Sequence, residues 1–241
     1  MKKNYIQSIE RASDIIKIIS KNQNIGLTEI SKLCELHKST VYNILVTLEK
    51  ENFIEQDINT GKYSLGIKML EYGKIYENNY KILPLIRVYL EYITNEFSET
   101  SYIAVKSKNL YAYVDKIEPD RSLKSFCEIG YSNSFHNSAM GKIFLSFVFT
   151  RYINELNFDN EDKRLKLKEE LEVIKIEKVA YDFEEYEKGQ NCIAFPVFNK
   201  KNKFIAGIGM SGPSSRLDIN KMNIAKKKIF EYTDELKNKL E

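Results

Sequence analysis

Apolar residues recur at helical spacing over residues 9–21, where Ile9, Ala12, Ile15, Ile16 and Ile19 share one side and Ser8 is placed to cap the start. Asn22–Gly26 breaks that pattern. Thr28 is a good N-cap for a second short helix, with Ile30, Leu33 and Cys34 on one face. Glu35-Leu36-His37 has room only for a turn. A third helix opens at Lys38 or Ser39 and runs to about Glu51. Val41, Ile44, Leu45 and Leu48 point inward, while Thr40, Asn43, Thr47 and Lys50 form an outward polar stripe. Two short strands, 53–56 and 62–65, flank the turn residues Asn59-Thr60-Gly61. Helix, turn, helix and β-ribbon in this order predict a winged helix-turn-helix over residues 1–66. Its second helix has the size of the major groove, with Ser39, Thr40 and Tyr42 in the turn that meets DNA. Lys62, at the ribbon, is placed to touch a phosphate.

Residues 67–79 predict a linker helix with Ile67, Met69, Leu70 and Ile75 apolar. A second domain, residues 80–241, then mixes the two periods. Pro84 suits the first turn of a helix reaching Phe97. Strands are expected at 101–107, 110–117, 123–128, 191–197 and 204–211, the last two joined by the turn at 199–203. Helices are expected at 138–149, 161–177 and 219–240, the last capped by Asp218. Hairpin-linked strands flanked by helices predict an α+β domain with a mainly antiparallel sheet.

The 241 residues, 43% hydrophobic and 29% charged, suit a two-domain soluble chain. No apolar run approaches the ~20 residues of a membrane span. The N-terminus leads into a polar helix rather than a signal peptide, and Cys34, Cys127 and Cys192 lack CxxC spacing. A cytoplasmic protein with reduced thiols is expected. Charge gives little support to nucleic-acid binding. Residues 1–66 carry nine Lys/Arg (Lys2 and Lys3 among them) against eight Asp/Glu, and the whole chain is +3. From the residues alone, a helix-turn-helix that docks protein instead of DNA stays open.

No GxSxG, HExxH, P-loop or Rossmann fingerprint occurs, and the histidines are two, His37 and His136. Cys192, His136 and Asp182 leave two chemical alternatives open: a Cys-dependent enzyme or a zinc site. Each residue also has a plain role. Cys192 suits a strand core, Asp182 a turn and Ser211 a strand end.

Eight segments together resemble the IclR family of bacterial transcription regulators. In the first domain they are Ser8-Ile9-Glu10-Arg11-Ala12, Leu27-Thr28-Glu29-Ile30, Lys38-Ser39-Thr40-Val41-Tyr42 and the stretch Thr60–Gly66. In the second they are His136–Lys142, Tyr181–Ala194, Ser211-Gly212-Pro213 and Ser215-Arg216-Leu217. The resemblance spans nearly the whole chain in family order. It implies a dimeric or tetrameric, ligand-controlled DNA-binding regulator, repressor or activator, without enzymatic activity and without a resident cofactor or metal. The second domain is then a GAF/PAS-like effector domain, and the linker helix helps pair subunits. The implied DNA surface is Thr28, Lys38, Ser39, Thr40, Tyr42, Asn43, Thr47, Lys50 and Lys62. The implied effector site for a small organic acid is His136, Ser138, Ala139, Met140, Gly141, Asp182, Cys192 and Ser211, with the family's ten-residue Asp-to-Cys spacing kept.

Three departures stand out. Ser134-Phe135 replaces Pro-Leu and reshapes one wall of the pocket. Gly209 stands where several members carry a ligand-holding Ser, which predicts a missing polar contact and an effector other than a short keto acid. Asn43 lies where the family usually has Arg, and Asn favours adenine where Arg favours guanine.

Overall fold

The computed structural model describes residues 5–78, 80, 82–125, 128–132, 135–156, 158 and 160–241. Lys2, Lys3, Asn79, Cys127 and Ser134, which entered the sequence reading, lie outside the described residues. The chain divides into two units, Met1–Lys81 and Ile82–Glu241.

The first unit runs α1 (Gln7–Lys21), α2 (Leu27–Leu33), α3 (Lys38–Lys50), β1 (Ile54–Gln56), β2 (Tyr63–Leu65) and α4 (Ile67–Asn78). Ile15 and Ile19 of α1, Ile30 of α2 and Val41 and Leu45 of α3 meet Ile54 and Tyr63 of the ribbon in one core. The tight turn between α2 and α3 has two local causes. Glu35 takes φ 53°, and the buried Ser31 hydroxyl donates to the Leu36 carbonyl at 2.6 Å. Ser31 therefore takes the inward place expected of Leu33, which is half-exposed at the end of the short helix.

Two expected caps are corrected. Neither Ser8 nor Thr28 caps its helix. The N-cap positions are Ile6 and Gly26, without side-chain caps, and Thr28 is the second residue of α2. The α2 start is fixed from outside: Ile25 exchanges both backbone hydrogen bonds with Tyr63, so the helix begins as soon as that bridge ends.

The second unit runs α5 (Leu83–Phe97), β3 (Thr100–Ser107), β4 (Leu110–Ile117), β5 (Gly130–Ser132), α6 (Ala139–Phe147), α7 (Glu161–Glu177), β6 (Ala180–Phe183), β7 (Gln190–Phe198), β8 (Phe204–Pro213) and α8 (Ile219–Lys239). The strands form one antiparallel sheet in the order β5-β4-β3-β8-β7-β6. Helices α5 and α8 pack on one face, as in the Phe195–Phe230 ring contact. Helices α6 and α7 cover the other, over Tyr102, Ala104, Cys192 and Ala194. Because both faces are covered, β7 is buried along almost its whole length, which is why residues 192–198 read as an apolar run.

The strand expected at 123–128 is absent among the described residues there, and β5 lies further on. Two backbone oxygens of residues 123–125 have side-chain donors instead of a ladder: Arg216 Nη2 donates to Leu123 O at 2.9 Å, and Thr100 Oγ1 to Ser125 O at 3.2 Å. Strand β6 was not anticipated, and α6 stops at Phe147 rather than 149. Among the described residues no helix is long and apolar enough to cross a membrane.

Candidate functional site

On α3 the helical period separates two roles. Val41, Leu45 and Leu48 are buried, whereas Lys38, Ser39, Tyr42, Asn43, Thr47 and Lys50 are exposed and Thr40 is half-buried. The Thr47 hydroxyl donates to the backbone carbonyl of Asn43 at 3.0 Å, so that hydroxyl is engaged within the helix. Thr28 and Lys62 are exposed as well. The ribbon turn is held by Asp57, whose Oδ1 accepts from Asn59 N, Thr60 N and Thr60 Oγ1, with Gly61 at φ 66°. The Thr60 bonds come first among the causes that hold the Asp57 carboxyl below its usual range. They also leave Ile58 98% exposed at the tip.

The second unit gathers the other expected residues differently. Pairing across β6, β7, β8 and β3 sets Asp182 opposite Cys192, Cys192 opposite Ser211 and Ser211 opposite Thr100. Directly opposed residues share a face, so these four side chains form a polar row on the face that α6 and α7 cover. Asp182 is 1% exposed. Its Oδ1 accepts from the backbone of Glu185 (2.8 Å) and Tyr186 (3.3 Å), while its Oδ2 has no hydrogen-bond partner. Burial raises the Asp182 pKa against the pull of those two amides. Burial, and then the neighbouring Asp182 charge, push the Cys192 thiol well above its ordinary value. The Gln190 amide donates to Cys192 Sγ at 3.6 Å.

Helix α6 begins at the same face. Ser138 caps it, its hydroxyl accepting from Gly141 N at 3.1 Å. That engages the Gly141 amide and leaves those of Ala139 and Met140 as the first-turn donors the helix does not use. The next residue, Lys142, is 1% exposed. Its Nζ donates to Glu185 Oε1 (2.7 Å), Glu170 Oε1 (2.9 Å) and Tyr181 O (3.1 Å). It thereby ties α6 to α7, to β6 and to the loop that holds Asp182. Beside it lies an open depression of about 540 Å³, lined by His136, Phe158, Lys163, Lys166, Glu170 and Glu185 among others.

The bacterial transcriptional regulator IclR C-terminal family model matches residues 75–237, and the IclR helix-turn-helix model matches residues 8–57. The chain belongs to the IclR family. The HTH-type transcriptional regulator XynR of Escherichia coli is 29% identical over 223 residues, covering 88% of this chain and 88% of its own. KdgR of Dickeya chrysanthemi is 27% identical over 220 residues, covering 88% of this chain and 72% of its own. Among solved structures, the Thermotoga maritima IclR superposes with a TM-score of 0.81 at 25% identity, covering 98% of this chain and 99% of its own. The protein is therefore a transcription regulator with a helix-turn-helix DNA-binding domain and a C-terminal effector-binding domain.

Within that family frame the expected site residues divide. Asp182, Cys192 and Ser211 come together in one row. Ser138 and Gly141 spend their polar groups on the cap, and Asp182 Oδ1 does hold a turn, so the plain reading of that residue is half right. His136 is exposed and packs edge-on against Phe158. It does not join Asp182 and Cys192 in a metal-holding group, for no cluster of three or more His, Cys, Asp or Glu forms one among the described residues. Two residues were missed. Lys142 was visible only as part of a motif and had no assigned role. Tyr102 had no signal at all, because its place depends on strand register.

Proposed function

We propose that the second unit binds a small organic acid beneath the N-terminus of α6 and that this binding sets how the winged helix-turn-helix engages its operator. One observation carries the reading: a buried Asp182 with an unpartnered Oδ2, in line with Cys192 and Ser211, at the face where α6 begins. The unused amides of Ala139 and Met140, with the helix dipole, suit a carboxylate. Asp182, Cys192 and Ser211 take the polar body of the ligand, and no metal is required. His136 stands at the rim.

On the DNA side, α3 enters the major groove with Lys38, Ser39, Thr40, Tyr42, Asn43, Thr47 and Lys50, while Thr28 and Lys62 meet the backbone. Ile67, Leu70, Tyr72, Ile75 and Tyr76 of α4 are exposed, and no residue of that helix is buried. In our reading this helix joins two copies, so that the pair reads two half-sites in the cytoplasm. For control, the effector must bind the two states of the regulator with different affinity.

A thermal-shift screen of small organic acids tests the proposal. A true effector raises the melting temperature by mass action, and Asp182→Ala removes the shift. Salt-dependent binding to upstream DNA, altered by the same acid, completes the test. Failure of every acid to move either observable overturns it.

A further inference from the structure

Tyr102 and Gly209 face each other across β3 and β8. A Cβ at position 209 would lie 2.8 Å from Tyr102 Cε2 and 3.1 Å from its Cζ, and 2.8 Å from the Ile193 carbonyl. The glycine is thus the socket on which the tyrosine ring rests. The neighbouring socket is Gly207, where an added Cβ would collide with Met140 Sδ. Small residues continue the floor, with Ala194 opposite Gly209 and Ala180 opposite Ala194.

Tyr102 is 3% exposed and belongs to the same buried cluster as Ala139, Met140 and Cys192. Its ring meets Tyr113 edge-on at 5.2 Å. Its ring lies over Gly209, so the side chain reaches across β8 toward β7. It fills the space beside the polar row and brings a hydroxyl into the corner where the backbone of Gly209 brings none.

We infer that Tyr102 sets the size of the effector: its ring blocks the space beside Ser211 and Cys192, restricting the site to short aliphatic acids, and its hydroxyl supplies a polar contact to them. This inference rests on the effector reading of the preceding subsection. It also bears on the expectation drawn from Gly209, since on this inference the missing hydroxyl arrives from another strand.

The experiment measures melting-temperature shifts of the full chain with pyruvate and lactate against benzoate and phenylpyruvate, for wild type, Tyr102→Val, Tyr102→Phe and Asp182→Ala. Wild type responds to at least one short acid and to neither aromatic one. Tyr102→Val, a substitution suited to a strand, gains a response to the aromatic acids and binds the short acid about tenfold more weakly. Tyr102→Phe keeps the exclusion of aromatic acids and weakens only the short acid. Wild-type selectivity in Tyr102→Val, or aromatic acids bound by wild type, overturns the inference while leaving the effector site standing. If Tyr102→Val does not fold, unchanged short-acid affinity in Tyr102→Phe overturns the hydroxyl's role. No response by any protein to any acid overturns the effector reading and the inference with it.

Discussion

The outer face of α3 and the polar row beneath α6 are both built from uncharged or singly charged side chains, yet they obey opposite rules. On α3 the side chains proposed to read DNA stand mostly in water, with Thr40 half-buried, and the core does not rest on them. Beneath α6 they are buried, so each must be satisfied by the fold or left waiting for something else. The first region can exchange residues at no cost in stability. A change in the second alters stability and, on the effector reading proposed above, ligand binding as well. Substitutions should therefore separate binding from stability in one region and fail to do so in the other.

The largest effect is expected near the buried end of that second region. Glu99 is 0% exposed, accepts two bonds from Arg216 at 2.9 Å each and a third from Lys221 at 3.2 Å. Glu99→Ala leaves Arg216 without its main partner and should cost about 3 kcal/mol in denaturant unfolding. A loss too small to measure would show that buried charge is not what holds this end of the sheet. Lys142→Met follows. It strips one buried cation from two glutamates that can still reach water, so about 2 kcal/mol is expected. The loop that feeds Asp182 should loosen, seen as faster amide exchange at Glu185 and Tyr186.

On α3 the sign of the comparison reverses. Asn43→Ala should leave the melting temperature unchanged and cost about 1–3 kcal/mol of discrimination at one base pair, measured by competition between operator variants. An equal loss for all sequences would make Asn43 a backbone contact.

The smallest effect concerns pH. Burial raises the Asp182 pKa above its unfolded value of 3.8, so the folded state holds that proton more tightly. Its stabilising contribution is present below 3.8 and is lost as pH rises through the folded value. Asp182→Asn should therefore become progressively more stable relative to wild type as pH rises toward neutrality, in thermal melts across that range. Parallel curves would contradict the burial argument.

The fold was legible where local pattern and final environment agree. Three- and four-residue spacing of Ile15, Ile19, Val41, Leu45 and Leu48 gave the helices of the first unit, and the turn residues 199–203 between two strand patterns gave the β7–β8 hairpin. Reading failed where a distant group decides. Thr28 is chemically a cap, but the Ile25–Tyr63 bridge sets the start of α2. A strand was expected from residue 123, but Arg216 and Thr100 take the carbonyls of Leu123 and Ser125. In the proposed site, motif resemblance pointed to Asp182, Cys192 and Ser211, because they sit within family segments, and strand pairing brings the three together. Tyr102 escaped because its partner Gly209 is more than a hundred residues away and only register joins them.

The second sheet has one more property with a practical side. Its interior strands β7 and β8 run nine and ten residues, while among the described residues its two outermost strands, β5 and β6, have three and four. A long apolar ladder is thus capped on both flanks by stubs too short to template another chain. Variants that lengthen β6, or replace its charged flank at Glu184 and Glu185, would expose the regulator to edge-to-edge aggregation during expression, a hazard the native sequence keeps small.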